Sequence, residues 1–392
     1  MALMSTLGPA WAAPTSTPPT STPPTPAPAL APTSTPTPTP AQTPTQTSIP
    51  APAPTPLRVG RLELDSPVLI APMVGITDAP FRALARELGA GLVSAEMTAA
   101  EAVVRLIPRT MELLSFDPAV GPVAAQLVGC DPGVMAEAAA ICADRGAMVV
   151  DVNLGCPVPR VTGRGSGAAL ARDVHATARV VQAMVEAVDV PVTAKMRLGW
   201  DYSSINAPEL SRALEDAGCA MVTVHGRTRA QRYQGQADWQ EIARVKRAVR
   251  IPVVGSGDVT DAGEIRRRLL AGEVDGVVIA RGALGNLWFI RQAVRHVATG
   301  EVLPDLGFAE RIALTRRHLD LLIDHHGEAR ALVVGRKYVA WTIKGCNGAA
   351  RLRAMVQGLV TRADLDVILG QALEAGLGPG GWFHPIFTSG EG

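Results

Sequence analysis

The sequence predicts an α/β protein: a (β/α)8 TIM barrel, a small C-terminal helical bundle and a Pro/Thr-rich N-terminal tail. Three observations carry this. Eight short β-branched runs alternate with helical periods across residues 67–297. No strand pattern recurs after about residue 308, where helical spacing takes over. The first 56 residues contain no Asp, Glu, Lys or Arg and consist largely of Pro, Thr, Ala and Ser.

In order, residues 67–72 (PVLIAP) predict the first strand, and 78–88 a helix that Asp78 is suited to cap. Residues 92–96 predict the second strand, and 122–128 the third, with a helix over 134–145. The fourth strand is expected over 147–153 and its helix over 174–188. Strands over 191–197, 220–225, 252–255 and 276–280 follow, with helices over 207–217, 239–248, 262–271 and 287–297. The main rival is a doubly wound open sheet. It would usually carry a Gly-rich turn after its first strand, and Ala71-Pro72-Met73-Val74-Gly75 is not G-x-G-x-x-G. Residues 309–324, 329–343, 348–357 and 363–375 predict four more helices. The chain therefore divides into a tail (1–56), a barrel (57–305), a helical domain (306–376) and a Gly/Pro-rich end (377–392).

Composition removes several classes of function. The 1–56 tail has too little apolar surface to offset chain entropy and is expected to be disordered. Its start has neither the basic residues nor the continuous apolar run of a secretory signal. No run of about 18 apolar residues predicts a transmembrane helix, so no membrane partner is expected. Five cysteines without a Cys-x-x-Cys pair argue against a zinc site or a disulfide framework. They fit a reducing, cytoplasmic compartment. Net charge is only +1, so any nucleic-acid surface must be local. Nothing announces an obligate protein partner.

The active site of such barrels lies at the carboxyl ends of the strands, and several predicted strands carry polar residues there. The third carries Gln126. The fourth runs into Asn153-Leu154-Gly155-Cys156-Pro157, a stiff turn that presents a cysteine. The fifth carries Lys195 and Arg197, the sixth His225, the seventh Ser256-Gly257-Asp258, and the eighth Ala280-Arg281. Taken singly, each has a plain structural explanation: a buried thiol, a snorkelling lysine, a satisfied core histidine, a surface arginine. Taken together they converge on one mouth. That mouth suits a flavin: a lysine for charge on the ring, a glutamine for its amides, Gly-rich strand ends and Arg281 for a phosphate.

These residues sit in motifs that resemble the tRNA-dihydrouridine synthase family, most of all its bacterial B-type members. The motifs are Ala71-Pro72-Met73-Val74-Gly75-Ile76-Thr77-Asp78, Ser94-Ala95-Glu96-Met97, Asp151 to Pro157, Lys195-Met196-Arg197-Leu198-Gly199-Trp200, Val224-His225-Gly226-Arg227-Thr228-Arg229 and Ala280-Arg281-Gly282. Arg336-Lys337-Tyr338 to Gly345 is similar to the signature of that family's helical domain. The resemblance implies an FMN-dependent reductase of the carbon 5–carbon 6 bond of tRNA uridines, with NADPH as electron donor and Cys156 as general acid. It implies FMN contacts at Pro72, Met73, Val74, Gln126, Lys195, His225, Ser256, Gly257, Asp258, Ala280 and Arg281. It implies substrate contacts at Asn153, Arg197, Arg336, Lys337 and Lys344. The family usually has Asn-Gly-Asp where this chain has Ser256-Gly257-Asp258, and Gly-Arg where it has Ala280-Arg281.

Basic residues cluster at Arg227/Arg229/Arg232, Arg316-Arg317-His318, Arg336-Lys337, Lys344 and Arg351/Arg353. Those of the helical domain are expected to meet tRNA phosphates, whereas Arg266-Arg267-Arg268 reads as a solvated face. Two alternatives stand beside the RNA-modifying enzyme. One is another FMN barrel acting on a small molecule, such as a dihydroorotate dehydrogenase-like reductase. It does not account for the basic C-terminal helices. The other is a non-catalytic RNA-binding module, which has no need of Cys156 or Lys195.

Overall fold

The computed structural model of the chain describes residues 55–378. The expected tails, 1–56 and 377–392, lie outside the described residues except for 55–56 and 377–378.

Eight parallel strands close into a barrel. They are β1 (Val68–Ile70), β2 (Leu92–Ser94), β3 (Val123–Val128), β4 (Val149–Leu154), β5 (Val192–Arg197), β6 (Met221–His225), β7 (Val253–Ser256) and β8 (Gly276–Ile279). Each pairs with the next, and β8 returns to β1 through Val278 opposite Leu69. The registers Gln126↔Asp151, Asp151↔Thr193, Asn153↔Lys195 and Arg197↔His225 place the polar strand ends side by side. The predicted eight-stranded barrel is the observed one.

Alternation along each strand sends its residues to two different cores. Val150, Val152 and Leu154 of β4 face outward into the large layer between strands and helices. Val149 faces inward, with Leu69, Leu92, Ala124, Met221, Val254 and Val278. These fill the amino-terminal end of the barrel. A short hairpin, Arg58–Val59 paired with Leu62–Glu63, lies against that end and adds Leu57, Val59 and Leu64 to the same cluster. Each is nearly fully buried, which stabilises the fold by roughly 1.5–3 kcal/mol per side chain. The hairpin was not predicted, since two-residue strands show no period. Towards the carboxyl ends the inward positions turn polar, and the site begins there.

The surrounding helices are fixed mainly by aspartate caps. Asp78, Asp131, Asp173, Asp238 and Asp261 each accept a backbone N–H from the first turn of the helix that follows, a cap worth about 1 kcal/mol. These helices are α1 (Ala79–Glu87), α3 (Pro132–Asp144), α4 (Val174–Ala187), α6 (Trp239–Ala248) and α7 (Ala262–Leu270). The connection after β2 holds α2 (Ala100–Val104) and a further short helix, Pro108–Leu113. Pro108 cannot continue the first of these, so no long period was visible there. Residues Ala207–Asp216 form α5, and Trp288–Thr299 form α8.

Four helices end the described chain: α9 (Phe308–His326), α10 (Glu328–Thr342), α11 (Ala349–Gln357) and α12 (Arg362–Ala375). They pack against α1 through His318, whose ring lies 5.8 Å from Phe81 and 4.2 Å from Tyr338. They also reach the loop after β1. The Tyr338 hydroxyl donates to the Ile76 carbonyl at 3.3 Å, and Lys337 Nζ donates to the Gly75 carbonyl.

Arg227, which stands in a basic cluster without an assigned role, is wholly buried, and both Asp258 carboxylate oxygens at the end of β7 accept from it at 2.8 Å. Two readings of basic residues change in the folded chain. His318 is buried and cannot meet a phosphate. Arg266 was read with Arg267 and Arg268 as solvated, yet it is buried and donates to the His296 and Val297 carbonyls. Arg267 and Arg268 do lie at the surface side of that helix, paired with Glu264 and Glu273.

Candidate functional site

A cavity of about 1010 Å3 opens at the carboxyl ends of the strands. Cys156 and all eleven residues expected to contact FMN line it: Pro72, Met73, Val74, Gln126, Lys195, His225, Ser256, Gly257, Asp258, Ala280 and Arg281. Asn153 and Arg197 line it too. Arg336, Lys337 and Lys344 do not.

The loop after β1 forms one wall. Thr77 shapes it, donating its hydroxyl to the Met73 carbonyl and accepting the Met73 N–H at 3.0 Å. Gly75 is gripped at both ends, its N–H by Glu96 at 2.7 Å and its carbonyl by Lys337. Glu96 was expected within the second strand, but β2 stops at Ser94. Its carboxylate turns to the loop instead, and burial there pushes its pKa up. Lys337 therefore serves as a tie between α10 and the cavity wall.

The opposite wall is the Cys156 loop. Asn153 Oδ1 accepts the N–H of Gly155 at 3.1 Å and of Cys156 at 2.8 Å, a tight Asx turn that holds the thiol at the cavity edge. Arg197 braces the same loop from β5. Its Nε donates to the Gly155 carbonyl at 3.0 Å, and its Nη1 donates to Thr228 and Arg232 carbonyls at 3.0 and 2.7 Å. A buried guanidinium with three carbonyl partners holds loops together, whatever else it touches.

Between the walls lies the polar floor. Lys195 is half-buried, and desolvation with the nearby Arg197 brings its pKa down to about 8, against the pull of Asp151. His225 sits among Arg197, Lys195, Arg227 and Arg281, and burial together with these cations holds it well below the usual imidazole range. It is thus neutral near pH 7. The Asp258 carboxylate is taken up by Arg227 and by the Ala237 N–H at 2.8 Å, so its side chain supports the site from behind. Gly257 has φ +117°, and a Cβ there would lie 2.6 Å from Ala237 Cβ and 2.9 Å from His225. Only glycine lets the backbone lie so close.

Sequence reasoning did not assign Asp151, Thr193, Glu96 or Tyr233. Asp151 is buried between Gln126 and Thr193, and burial raises its pKa against those bonds. Its signal was present, since Asp151 and Asn153 share the inward face of β4. Tyr233 lies under two cations, 4.8 Å from Arg281 and 5.7 Å from Arg197. Nothing in its loop marked it. Outside the cavity, Arg336 donates twice to the Leu359 carbonyl, at 2.9 and 3.2 Å, and Lys344 is exposed.

Comparison with known proteins agrees with this geometry. A family model described as dihydrouridine synthase (Dus) matches residues 69–375. The chain is 40% identical over 303 residues to the probable tRNA-dihydrouridine synthase of Rickettsia prowazekii, spanning 76% of this chain and 92% of that protein. It is 37% identical over 300 residues to tRNA-dihydrouridine synthase B of Xanthomonas axonopodis pv. citri, spanning 76% and 90%. Among solved structures it shares its fold with 6-hydroxypseudooxynicotine amine oxidase of Pseudomonas geniculata N1. That match has a TM-score of 0.50 and 14% identity, over 62% of this chain and 49% of the other. A barrel whose mouth gathers this set of residues, and a match that runs from β1 through α12, mean that the chain belongs to the dihydrouridine synthase family.

Proposed function

We infer that this chain is a tRNA-dihydrouridine synthase, an oxidoreductase that saturates the carbon 5–carbon 6 bond of tRNA uridines, with FMN in the barrel-mouth cavity and NADPH as electron donor. The observation that carries the reading is the Cys156 thiol, held by Asn153 on the rim of a cavity whose floor is Lys195, Gln126 and His225.

The residues fit FMN. Lys195, Arg197 and Arg281 around one cavity make a positive site suited to a phosphate and to an electron-rich ring edge. The uncluttered backbone at Gly257 allows close approach of a bulky group. Neutral His225 offers a hydrogen bond without another charge. The hydride for carbon 6 is the chemistry a bound FMN supplies.

The remaining work falls to the chain. Pro72, Met73 and Val74 would wall the ring of a bound FMN, and Ser256, Gly257, Asp258, Ala280 and Arg281 would hold its phosphate end. Asn153 donates one amide hydrogen to Gln126 and has the second for a uracil carbonyl. The Cys156 thiol gives its proton to carbon 5, and the resulting thiolate recovers one from water. The uridine leaves its stack to reach this depth. Lys344 is the exposed candidate for a tRNA phosphate, whereas Arg197, Arg336 and Lys337 frame the substrate surface by holding carbonyls. A small-molecule reductase would gain nothing from helices tied to the cavity wall through Gly75 and Ile76.

The test is Cys156→Ala. The variant is expected to stay yellow and to oxidise NADPH, while dihydrouridine in tRNA, read by mass spectrometry, disappears. Wild-type product yield would overturn the assignment.

A further inference from the structure

We propose that Asp151 is a positioning residue for this reaction: through Gln126 and Asn153 it fixes how the Cys156 loop is held and which amide N–H groups the cavity wall presents. The proposal rests on the reading above for the identity of the reaction, though the hydrogen-bond geometry stands independently of it.

Five donors point one way across three neighbouring strands. On β5, the Thr193 hydroxyl donates to Asp151 Oδ1 at 2.6 Å. On β3, Gln126 Nε2 donates to Asp151 Oδ2 at 2.6 Å. Gln126 Oε1 then faces β4 and accepts from Asn153 Nδ2 at 2.8 Å. Asn153 Oδ1 in turn faces the loop and accepts the N–H groups of Gly155 and Cys156. Gln126 and Asp151 are buried, at 1% and 7% exposure, so water does not stand in for a missing partner.

A primary amide has a donor end and an acceptor end. Two amides in series can run in either direction, and on their own neither is favoured. Here both ends of the series are committed. The backbone N–H groups of Gly155 and Cys156 only donate, so Asn153 must present its oxygen to them. A carboxylate only accepts, so Gln126 must present its nitrogen to Asp151. The two requirements agree, and every intermediate bond follows. Reversing the series would set the Asn153 nitrogen against two N–H donors and open the Asx turn that holds Cys156. It would also leave the Gln126 and Asn153 nitrogens pointing elsewhere. In the observed direction each amide nitrogen keeps one hydrogen beyond the bond it makes here, so the wall offers donors to an acceptor-bearing ring. Asp151 touches neither the thiol nor the cavity contents in this scheme. It acts by polarity at a distance of two side chains.

Two substitutions separate this from a general structural role. Asp151→Leu removes the acceptor while keeping similar bulk. Asp151→Asn keeps an acceptor for Gln126 if its own nitrogen turns to the Thr193 oxygen, which can accept. Each is made in the unmodified chain and in Asn153→Ala. Two quantities are read: kcat for dihydrouridine at saturating tRNA, and the pH profile of iodoacetamide alkylation at Cys156, followed on its own peptide in flavin-free protein. Asp151→Leu is expected to lower kcat about tenfold or more and to change the alkylation profile. In the Asn153→Ala background it should add less than about twofold, because its route of action is already gone. Asp151→Asn should retain kcat within about threefold of the unmodified chain. Equal losses in both backgrounds, or an Asp151→Asn variant as impaired as Asp151→Leu, would overturn the proposal. If Asp151→Leu does not fold, Asp151→Asn combined with Thr193→Val takes its place. That pair should disturb alkylation more than its two parts summed, and simple additivity would refute the relay. If the unmodified chain forms no dihydrouridine, the functional reading fails, and the alkylation data still decide the relay.

Discussion

Lys195→Met should make the flavin-free protein more stable while removing its reductase activity. Lys195 is half-buried at the barrel mouth, and the partial loss of solvation outweighs the attraction of Asp151. Its pKa falls from 10.5 to about 8. At 1.36 kcal/mol per pH unit, the charged lysine costs the folded state about 3 kcal/mol relative to the unfolded chain. The sign follows from which state binds the proton more weakly. Below about pH 8 both states are charged and the full cost is present. Between about 8 and 10.5 the folded state is neutral while the unfolded one stays charged, so the cost fades as pH rises. Above 10.5 it is gone. Methionine carries no charge and fills a similar volume. Some of the gain is lost because Asp151 loses its cationic neighbour, leaving a net stabilisation of about 1–3 kcal/mol near neutral pH. Urea unfolding of both flavin-free proteins, at neutral pH and again above 10.5, measures it. The difference should shrink at the higher pH. A variant less stable at neutral pH, or a gain unchanged by pH, would refute the argument that burial of an uncompensated cation dominates this site.

Three further outcomes are expected. Gly257→Ala adds a methyl 2.6 Å from Ala237 at a left-handed φ of +117°; it should destabilise by about 2–4 kcal/mol, seen as a lowered Tm. Asp258→Ala leaves the wholly buried Arg227 without its carboxylate, although the Gln234 and Gly235 carbonyls still accept from it. Denaturant unfolding should show a loss of about 2–3 kcal/mol, with FMN retention reduced as the strand end loosens. Lys337→Ala frees the Gly75 carbonyl; it should weaken FMN binding about threefold to tenfold, measured by flavin fluorescence. A change confined to tRNA affinity and its salt slope would instead show that the lysine meets phosphate.

The barrel was readable because its strands are buried on both faces, which leaves continuous β-branched runs such as Val277-Val278-Ile279. The polar strand ends were readable for a related reason: Gln126, Lys195 and His225 have no business in an apolar barrel unless they face a cavity. What stayed hidden depended on partners far away in the chain. Arg227 stood in a basic cluster with no role legible in the sequence, and Asp258, one strand over, claims it. Arg266 looked solvated because it stands beside two arginines that are at the surface, and the end of α8 claims it. Lys337 lies in a motif that resembles an RNA-binding signature, and its nearest partner is a loop 262 residues earlier. Asp151 lay in plain view within the cysteine motif. Its role emerges only once β3 and β5 are known to flank β4.

The hairpin beneath the barrel has a consequence for traffic. With Leu57, Val59 and Leu64 packed under it, the amino-terminal end of the described barrel is filled, and the cavity opens at the rim of the carboxyl end. On the proposed function, a nicotinamide donor and a folded RNA would both use that entrance. If each leaves before the other arrives, reducing equivalents are held inside the protein between visits. Steady-state velocities measured at several fixed donor concentrations should then give parallel double-reciprocal lines against tRNA, the pattern of two half-reactions that never meet.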